Sequence, residues 1–277
     1  MGRVEGKVAL ITGAARGQGR SHAIRLAQEG ADIIGVDVCA DIPTITYPGP
    51  TVADLEETER LVTELGRRMV SHVVDVRDRD GLAEAAADGA AQLGRLDIVS
   101  ANAGIAAIGE AGEITPTQWS EMMEINIDGV WNTASAALPI LRKQGEGGSI
   151  VITSSVGGLR GYPGCSHYVT TKHAVVGLMK SLAVELAPEM IRVNSVHPTN
   201  VLTPMINNEA TFRRMRPDLE NPTLEDATEV FASINAMPLP WVESVDISNA
   251  VLFLASDEAR YVTGIALPID MGATAGV

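Results

Sequence analysis

The chain is poor in cysteine: Cys39 and Cys165 are the only two in 277 residues, and they stand 126 positions apart. A disulfide framework and a thiolate metal site are thereby excluded as organising principles, and a reducing compartment is the better match. Positive charge is also scarce, with 21 lysines and arginines against 35 aspartates and glutamates, for a net charge of −14. Such a surface repels phosphate backbones, which argues against a nucleic-acid partner, and gives no hint of an anionic membrane. No apolar run approaches the about 20 residues that a bilayer requires. The start, MGRVEGKVAL, lacks the hydrophobic stretch of a secretory signal, and Gly6 stands where a myristoylation signal wants Ser or Thr. His22, His72, His167, His173 and His197 show no ligand spacing, so no metal is expected; they read as structural or surface residues, with His197 alone placed to border a site. A soluble cytoplasmic protein is the expectation.

Hydrophobic residues make up 45% of the chain, ample for a buried core. Short β-branched runs alternate with longer helical patterns. KVALIT (7–12), ADIIGVD (31–37), MVSHVVDV (69–76), LDIVSANAG (96–104), SIVITSS (149–155), IRVNSVHP (191–198) and GIALPID (264–270) read as strands, the fourth running into a loop. Between them, 21–30, 52–66, 81–94, 117–143, 167–186 and 246–259 read as helices, the fourth interrupted near Gly129. Alternation from end to end predicts an α/β fold: a doubly wound parallel sheet of about seven strands with helices on both faces. No linker or repeat divides the chain, so residues 1–277 are read as one domain. Two segments break the rhythm. CADIPTITYPGPT (39–51) carries three prolines and cannot be regular helix, and 203–241 is rich in proline, methionine and charge. They are read as an insertion arm at 38–52 and a substrate loop or lid.

TGAARGQG (12–19) lies between the first strand and the first helix, with glycines at 13, 17 and 19. Glycines there let backbone amides approach a pyrophosphate at a helix N-terminus, although a tight strand–helix turn also needs them. Asp37 ends the second strand, where a carboxylate can accept hydrogen bonds from an adenosine ribose. It would repel a 2′-phosphate: two unit charges ~5 Å apart at an effective dielectric of ~20 interact by roughly 3 kcal/mol. Arg16 pulls toward a 2′-phosphate; Asp37 carries more weight because the tip of the second strand faces the ribose. NAD is therefore favoured over NADP. Further on, CSHYVTTKHAVVG (165–177) sets Tyr168 and Lys172 four residues apart, on one face if the segment is helical. Alone, that pair is equally a tyrosine packing beside a solvated lysine.

TGAARGQG, ANAG (101–104), Asn126, Ser154–Ser155 and YVTTK occur in one order, and together they resemble the short-chain dehydrogenase/reductase family over nearly the whole chain, down to YVTGIALPID. The resemblance implies a single-domain Rossmann fold and a catalytic set of Asn126, Ser155, Tyr168 and Lys172. Tyr168 exchanges a proton with the substrate oxygen, Ser155 hydrogen-bonds that oxygen, Lys172 contacts the nicotinamide ribose, and Asn126 supports a water relay to Lys172. It also implies cofactor contacts from Gly13, Ala15, Arg16, Gly17, Gln18 and Gly19 in the loop, and from Asp37 and Val38 at the second strand. Asp75 and Val76 fall at the adenine; Asn102, Ala103 and Gly104 line the cofactor; Pro198, Val201 and Thr203 match the segment that holds the carboxamide. Two departures touch the surroundings rather than the proton-transfer set: HPT (197–199) where Asn-Pro-Gly is common, and Ala101 where Asn is usual. The phenol needs help in any case. Bringing a tyrosine from ~10 to ~7–8 takes roughly 3–4 kcal/mol, about what a cation ~4 Å away supplies at an effective dielectric of ~20.

Between Asp37 and Asp75 the chain is roughly a dozen residues longer than this family usually needs, and with 237–264 it resembles the mycofactocin-associated, carveol-dehydrogenase-like branch. That resemblance implies tightly held NAD, reoxidised in place by another redox carrier. The arm is then expected to cover the adenosine end, the competing reading being a surface insertion packed on a neighbouring element or subunit. Apolar residues supply the substrate side: Tyr162 and Met205 foremost, then Leu159, Phe212, Met215 and Phe231, with Ile234, Met237 and Trp241. They favour a hydrophobic secondary alcohol or ketone, terpenoid-like, beside Ser155 and Tyr168. Arg160, Arg213, Arg214 and Arg216 keep a 3-ketoacyl thioester and NADPH as an alternative, and a non-catalytic dinucleotide-binding regulator is the alternative of another class. The family also implies a homotetramer built on the helices at 117–143 and 167–187.

Overall fold

The computed structural model describes residues 2–275. Sixteen regular elements alternate along most of it. They are β1 (Val8–Thr12), α1 (Gly17–Gln28), β2 (Asp32–Asp37), α2 (Val52–Glu64), β3 (Met69–Val73), α3 (Arg79–Leu93), β4 (Ile98–Ala101), α4 (Pro116–Met123) and α5 (Gly129–Gln144), followed by β5 (Gly148–Thr153), α6 (Ser166–Leu186), β6 (Ile191–Pro198), α7 (Glu209–Met215), α8 (Leu224–Ser233), α9 (Ser244–Ala255) and β7 (Ala266–Ile269). The strands form one sheet in the order β3-β2-β1-β4-β5-β6-β7, and every pairing is parallel.

β1 and β2 are buried at every residue, which is why they read as unbroken apolar runs and not as alternating ones. Successive side chains still go to opposite faces. Leu10, Val99 and Ile150 pack with Leu82, Leu141 and Met179 of α3, α5 and α6, whereas Ile11, Ile33 and Ile98 pack with Leu26, Val62 and Leu252 of α1, α2 and α9. Each such side chain contributes about 1.5–3 kcal/mol by leaving water. Strand order reverses at β1, which pairs with β2 on one side and β4 on the other, so the loops after β1 and β4 diverge and open a crevice at the strand ends.

Two expectations change. The third strand stops at Val73, so Asp75 and Val76 belong to a loop above the sheet, as Asn102–Gly104 do after the fourth strand ends at Ala101. The helix at 117–143 is interrupted near Gly129, as expected, by a π-turn over Glu124–Asp128 in which the Gly129 amide reaches the Glu124 carbonyl. A side chain at 129 would strike Val76, so Gly129 serves close packing there. The segment 203–241 is not a plain loop: it holds α7, capped by Asn208, and α8, started by a capping box between Thr223 and Asp226. Both helices are too short for periodicity to reveal. Among the described residues no helix is long and apolar enough to cross a membrane, and no cluster of side chains suits a metal ion.

Candidate active site

The glycine loop folds tightly against β4. Gly13 and Gly17 take positive φ of 70° and 55°. A Cβ on Gly19 would sit 1.9 Å from the Gly13 carbonyl oxygen, so only glycine fits. Asp37 closes the loop from the other side: its carboxylate accepts from the Ala15 amide at 2.9 Å and from the Cys39 amide at 3.4 Å. Burial pushes the Asp37 carboxyl up, against the pull of those amides and of Arg16. α1 starts at Gly17 with no side-chain cap, leaving its first amides pointing outward, the arrangement that suits an anion.

Above this loop lies a cleft of about 170 Å³, bordered by Gly13, Arg16, Gly17, Gln18, Asp37 and Val38 on one side and by Asp75, Val76 and Asn102–Gly104 on the other. Asn102 is locked in place, its Nδ2 donating to the Thr12 carbonyl at 3.1 Å and its Oδ1 accepting from Thr153 at 3.3 Å. Arg77 holds the Asp75 carboxyl below its usual range, although burial works the other way. The crevice, the outward amides and the glycine-cleared floor fit a dinucleotide. Two expected contacts are corrected. Ala15 is fully buried with its amide engaged by Asp37, and Gly19 lies under the loop, so neither faces the cleft. Arg16 borders the cleft, but its guanidinium donates to the carbonyls of Pro48 and Gly49 and not toward an open phosphate position.

Those carbonyls belong to the arm. Ile42, Ile45, Tyr47, Gly49 and Pro50 roof the cleft, and Ile42 joins the core cluster around β2. The arm is pinned at two further points, where Thr44 donates to Glu121 and Tyr47 Oη accepts from the Ala106 amide at 3.3 Å, and it is braced internally by the Gly49 amide donating to Asp41 at 2.7 Å. Its covering of a neighbouring element and its covering of the cleft are thus the same arrangement. Tyr47 went unnoticed in the sequence; its signal was the one aromatic ring in a proline-rich insertion.

Ser155 and Tyr168 face a second cavity of about 470 Å³. The Gly157 amide donates to Ser155 Oγ at 3.1 Å, and a Cβ on Gly157 would come within 3.3 Å of the Tyr168 ring and 3.5 Å of Ser155 Oγ. The neighbouring Ser154 Oγ instead donates to the Lys172 carbonyl at 2.9 Å. Lys172, one helical turn after Tyr168 on α6, is buried, with its Nζ 5.6 Å from the Tyr168 ring centre and donating to the Thr153 carbonyl at 3.0 Å. Burial pushes the Tyr168 phenol up to about 12, the Ser155 hydroxyl working against it, and pushes the Lys172 ammonium down to about 8. Enclosure is the main cause of both shifts, because it disfavours the charged form of each group.

Asn126 is fully buried in the π-turn. Its Oδ1 accepts from the Ile105 amide at 2.8 Å, and its Nδ2 donates to the Ile105 carbonyl at 2.9 Å and to Thr171 at 3.2 Å. The side chain therefore clamps the loop after β4 and does not touch Lys172. The two flank Gly104, where a Cβ would lie 3.1 Å from Asn126 Oδ1 and 3.5 Å from Lys172 Nζ. Neither Asn126 nor Lys172 opens onto the two cavities.

Pro198, Val201 and Thr203 border the second cavity, as do Tyr162, Met205, Met215, Phe231 and Ile234. Leu159, Phe212, Met237 and Trp241 do not; Trp241 packs edge-on to Phe231 at 6.1 Å. Of the arginines, only Arg214 borders the cavity, and its guanidinium is engaged by the Gly164 and Pro163 carbonyls and Cys165. Arg160 lies over the Tyr162 ring at 4.7 Å, Arg213 pairs with Glu209 and Arg216 with Asp218. His197 does not border either cavity but lies fully buried behind Ser155: its Nδ1 donates to the Ser155 carbonyl at 2.8 Å and its Nε2 accepts from Ser195 Oγ at 2.8 Å. The acceptor-only carbonyl fixes that tautomer. Gln18, Tyr47, Thr203 and Met205 border both cavities and form the seam between them.

A switch-point crevice joined to a pocket faced by Ser155 and Tyr168, with Lys172 buried behind them, defines a dinucleotide-type oxidoreductase architecture. The family model described as enoyl-(acyl carrier protein) reductase matches residues 13–274. The chain is 56% identical to (−)-trans-carveol dehydrogenase of Rhodococcus erythropolis over 275 residues, 99% of each chain. Its fold matches carveol dehydrogenase of Mycobacterium avium, crystallised in complex with NAD, at a TM-score of 0.97 with 55% identity and 99% of each chain covered. A short-chain dehydrogenase of Mycobacterium paratuberculosis bound to NAD matches at 0.90 with 44% identity, over 99% of this chain and all of that one. The chain belongs to the short-chain dehydrogenase/reductase family.

Proposed function

We propose that the protein is an NAD-dependent oxidoreductase that interconverts a hydrophobic secondary alcohol, of the carveol type, and its ketone. The observation that carries this reading is the pairing of Ser155 and Tyr168 on a largely apolar cavity that meets the Asp37 cleft at Thr203 and Met205. Asp37 and Val38 would hold the adenosine ribose, Asp75 and Val76 the adenine, the amides at Gly17–Gln18 the pyrophosphate, and Pro198, Val201 and Thr203 the nicotinamide end. NAD held there would supply the hydride acceptor.

The chain's own groups handle the proton. Ser155 Oγ, oriented by the Gly157 amide, donates to the substrate oxygen. Tyr168 exchanges the proton of that oxygen: its phenolate takes it in oxidation, and its neutral form, which burial favours, gives it in reduction. Lys172 supplies the cation behind the phenol, and Asn126 holds the 104–105 backbone that separates the two. The engaged arginines weigh against an anionic thioester carrier, and the intact hydroxyl pair weighs against a purely regulatory binder.

The arm supports tight retention of NAD and its reoxidation in place by a redox carrier, as in a mycofactocin-associated enzyme. Trp119 and Trp131, both exposed on α4 and α5, and Val184, exposed on α6, support assembly into a tetramer through those helices. The composition supports a cytoplasmic location. The test is mass spectrometry of gently purified protein for NAD, followed by secondary-alcohol oxidation with an artificial electron acceptor. NAD retained and trans-carveol oxidised are the expected results; unimpaired oxidation by Tyr168→Phe would overturn the mechanism.

A further inference from the structure

The arm does more than roof the dinucleotide cleft. Thr44, Thr46 and Tyr47 also border the cavity that Ser155 and Tyr168 face. Tyr47 is only 8% exposed, stands on the seam between the two spaces and lines the same cavity as Tyr168. Its hydroxyl is tied to the Ala106 amide, and Ala106, Ala107 and Ile108 continue the same wall. Thr44 is tied to Glu121 on α4, and the Pro48 and Gly49 carbonyls are tied to Arg16 on the glycine loop. Thr46 lies between these anchors and is itself exposed, so it stands at the opening of the cavity on a stretch of backbone fixed on both sides.

We infer that residues 44–47 of the arm determine substrate specificity: the loop that covers the dinucleotide also gauges the bulk of the alcohol entering beside Tyr168. The inference rests on the reading of this cavity as the alcohol site. An apolar pocket with a fixed wall discriminates by roughly 10- to 200-fold for each methylene that fails to fit. A wall on the arm also links the two ligands. Whatever fills the substrate cavity holds the arm down over the cleft, and by reciprocity the covered dinucleotide shapes the substrate cavity.

The test uses the full chain with its bound dinucleotide, two alcohols of different bulk, cyclohexanol and trans-carveol, and the variants Thr46→Phe and Thr46→Ala. The Thr46 side chain is exposed, so both variants are expected to fold. Thr46→Phe is expected to lower kcat/KM for trans-carveol relative to cyclohexanol by about tenfold or more, and Thr46→Ala to move the ratio the other way. Carvone is expected to slow the release of NAD from the wild type and to do so less in Thr46→Phe, with equal NAD content after purification. A ratio within twofold of wild type in both variants, in an enzyme that oxidises both alcohols, sinks the inference alone. A wild type that oxidises no secondary alcohol sinks the reading beneath it and the inference together.

Discussion

His197 Nδ1 donates to the Ser155 carbonyl at 2.8 Å, so a residue of β6 sets the backbone that carries the substrate-facing hydroxyl of the β5 loop. His197 is a positioning residue in this arrangement, held in turn by Ser195. Removing the donor lets Ser155 drift, and a displacement near 1 Å can cost about 10²-fold in rate. His197→Leu is therefore expected to lower kcat by about that factor while leaving NAD affinity unchanged. His197→Asn, whose Nδ2 can occupy the place of the ring Nδ1, is expected to recover most of the loss. Steady-state kinetics and NAD titration of both variants check this; equal kcat for Leu and Asn would assign His197 to packing alone.

Proton transfer at Tyr168 should leave its mark in opposite pH profiles for the two directions. With the phenol pushed up to about 12, its neutral donor form dominates at neutral pH and ketone reduction needs no further activation. Alcohol oxidation needs the phenolate, which gains about tenfold per pH unit below that value. Lys172 loses its charge above about 8 and with it part of the phenolate's support. The expected profile for oxidation rises between pH 6 and 8 and then flattens, while that for reduction is level and falls at high pH. A pH-independent oxidation rate over pH 6–9, once hydride transfer is shown to limit the rate, would contradict the assignment.

The order of elements was legible because buried parallel strands are apolar runs and the helices between them are amphipathic. Asp37, Gly13 and the Ser155–Tyr168–Lys172 spacing were legible because each sits at a fixed offset from a strand end or along one helix. What was hidden depends on chain segments far apart in sequence. Arg16 reads as a phosphate ligand until Pro48 and Gly49 are folded over it. Asn126 reads only as the support of a water relay, and its bonds to the Ile105 backbone show only once the chain is folded. The direction of the Tyr168 shift depended on enclosure, which no spacing in YVTTK conveys.

His22 and His197, the two most strongly shifted of three buried histidines (His167 is the third), should make the fold acid-sensitive. Burial lowers His22 to about 3 and His197 to about 4, whereas both return to about 6.5 on unfolding. Below pH 6.5 the unfolded chain binds protons that the native chain does not, so stability falls as pH falls, and the loss continues toward the native values. Each histidine costs about 1.4 kcal/mol at pH 5.5, roughly 3 kcal/mol together. Urea unfolding at pH 7.5 and 5.5 should show a drop of that size. His22→Gln, which can keep a bond to Ser248, should remove about half of the slope whatever its effect at pH 7.5.

Arg16 tests whether the arm or the charge of the loop governs the dinucleotide. Its guanidinium donates to the Gly49 carbonyl at 3.1 Å and to that of Pro48, and the Asp37 carboxylate borders the same cleft. Were Arg16 a phosphate ligand, Arg16→Ala would chiefly change the choice between NAD and NADP. As a clasp, it instead controls how long the arm stays down. Hydrogen bonds from a charged donor are worth about 1.5–3 kcal/mol each, and every 1.4 kcal/mol is tenfold in an equilibrium. Arg16→Ala is therefore expected to speed NAD release by about tenfold or more, approaching the rate of a deletion of 40–50, with NAD still preferred over NADP. Release can be followed by dilution of the NADH-loaded protein into excess unlabelled cofactor, reading the loss of bound-NADH fluorescence. An unchanged release rate in both variants would show that the cleft itself, and not its roof, retains the dinucleotide.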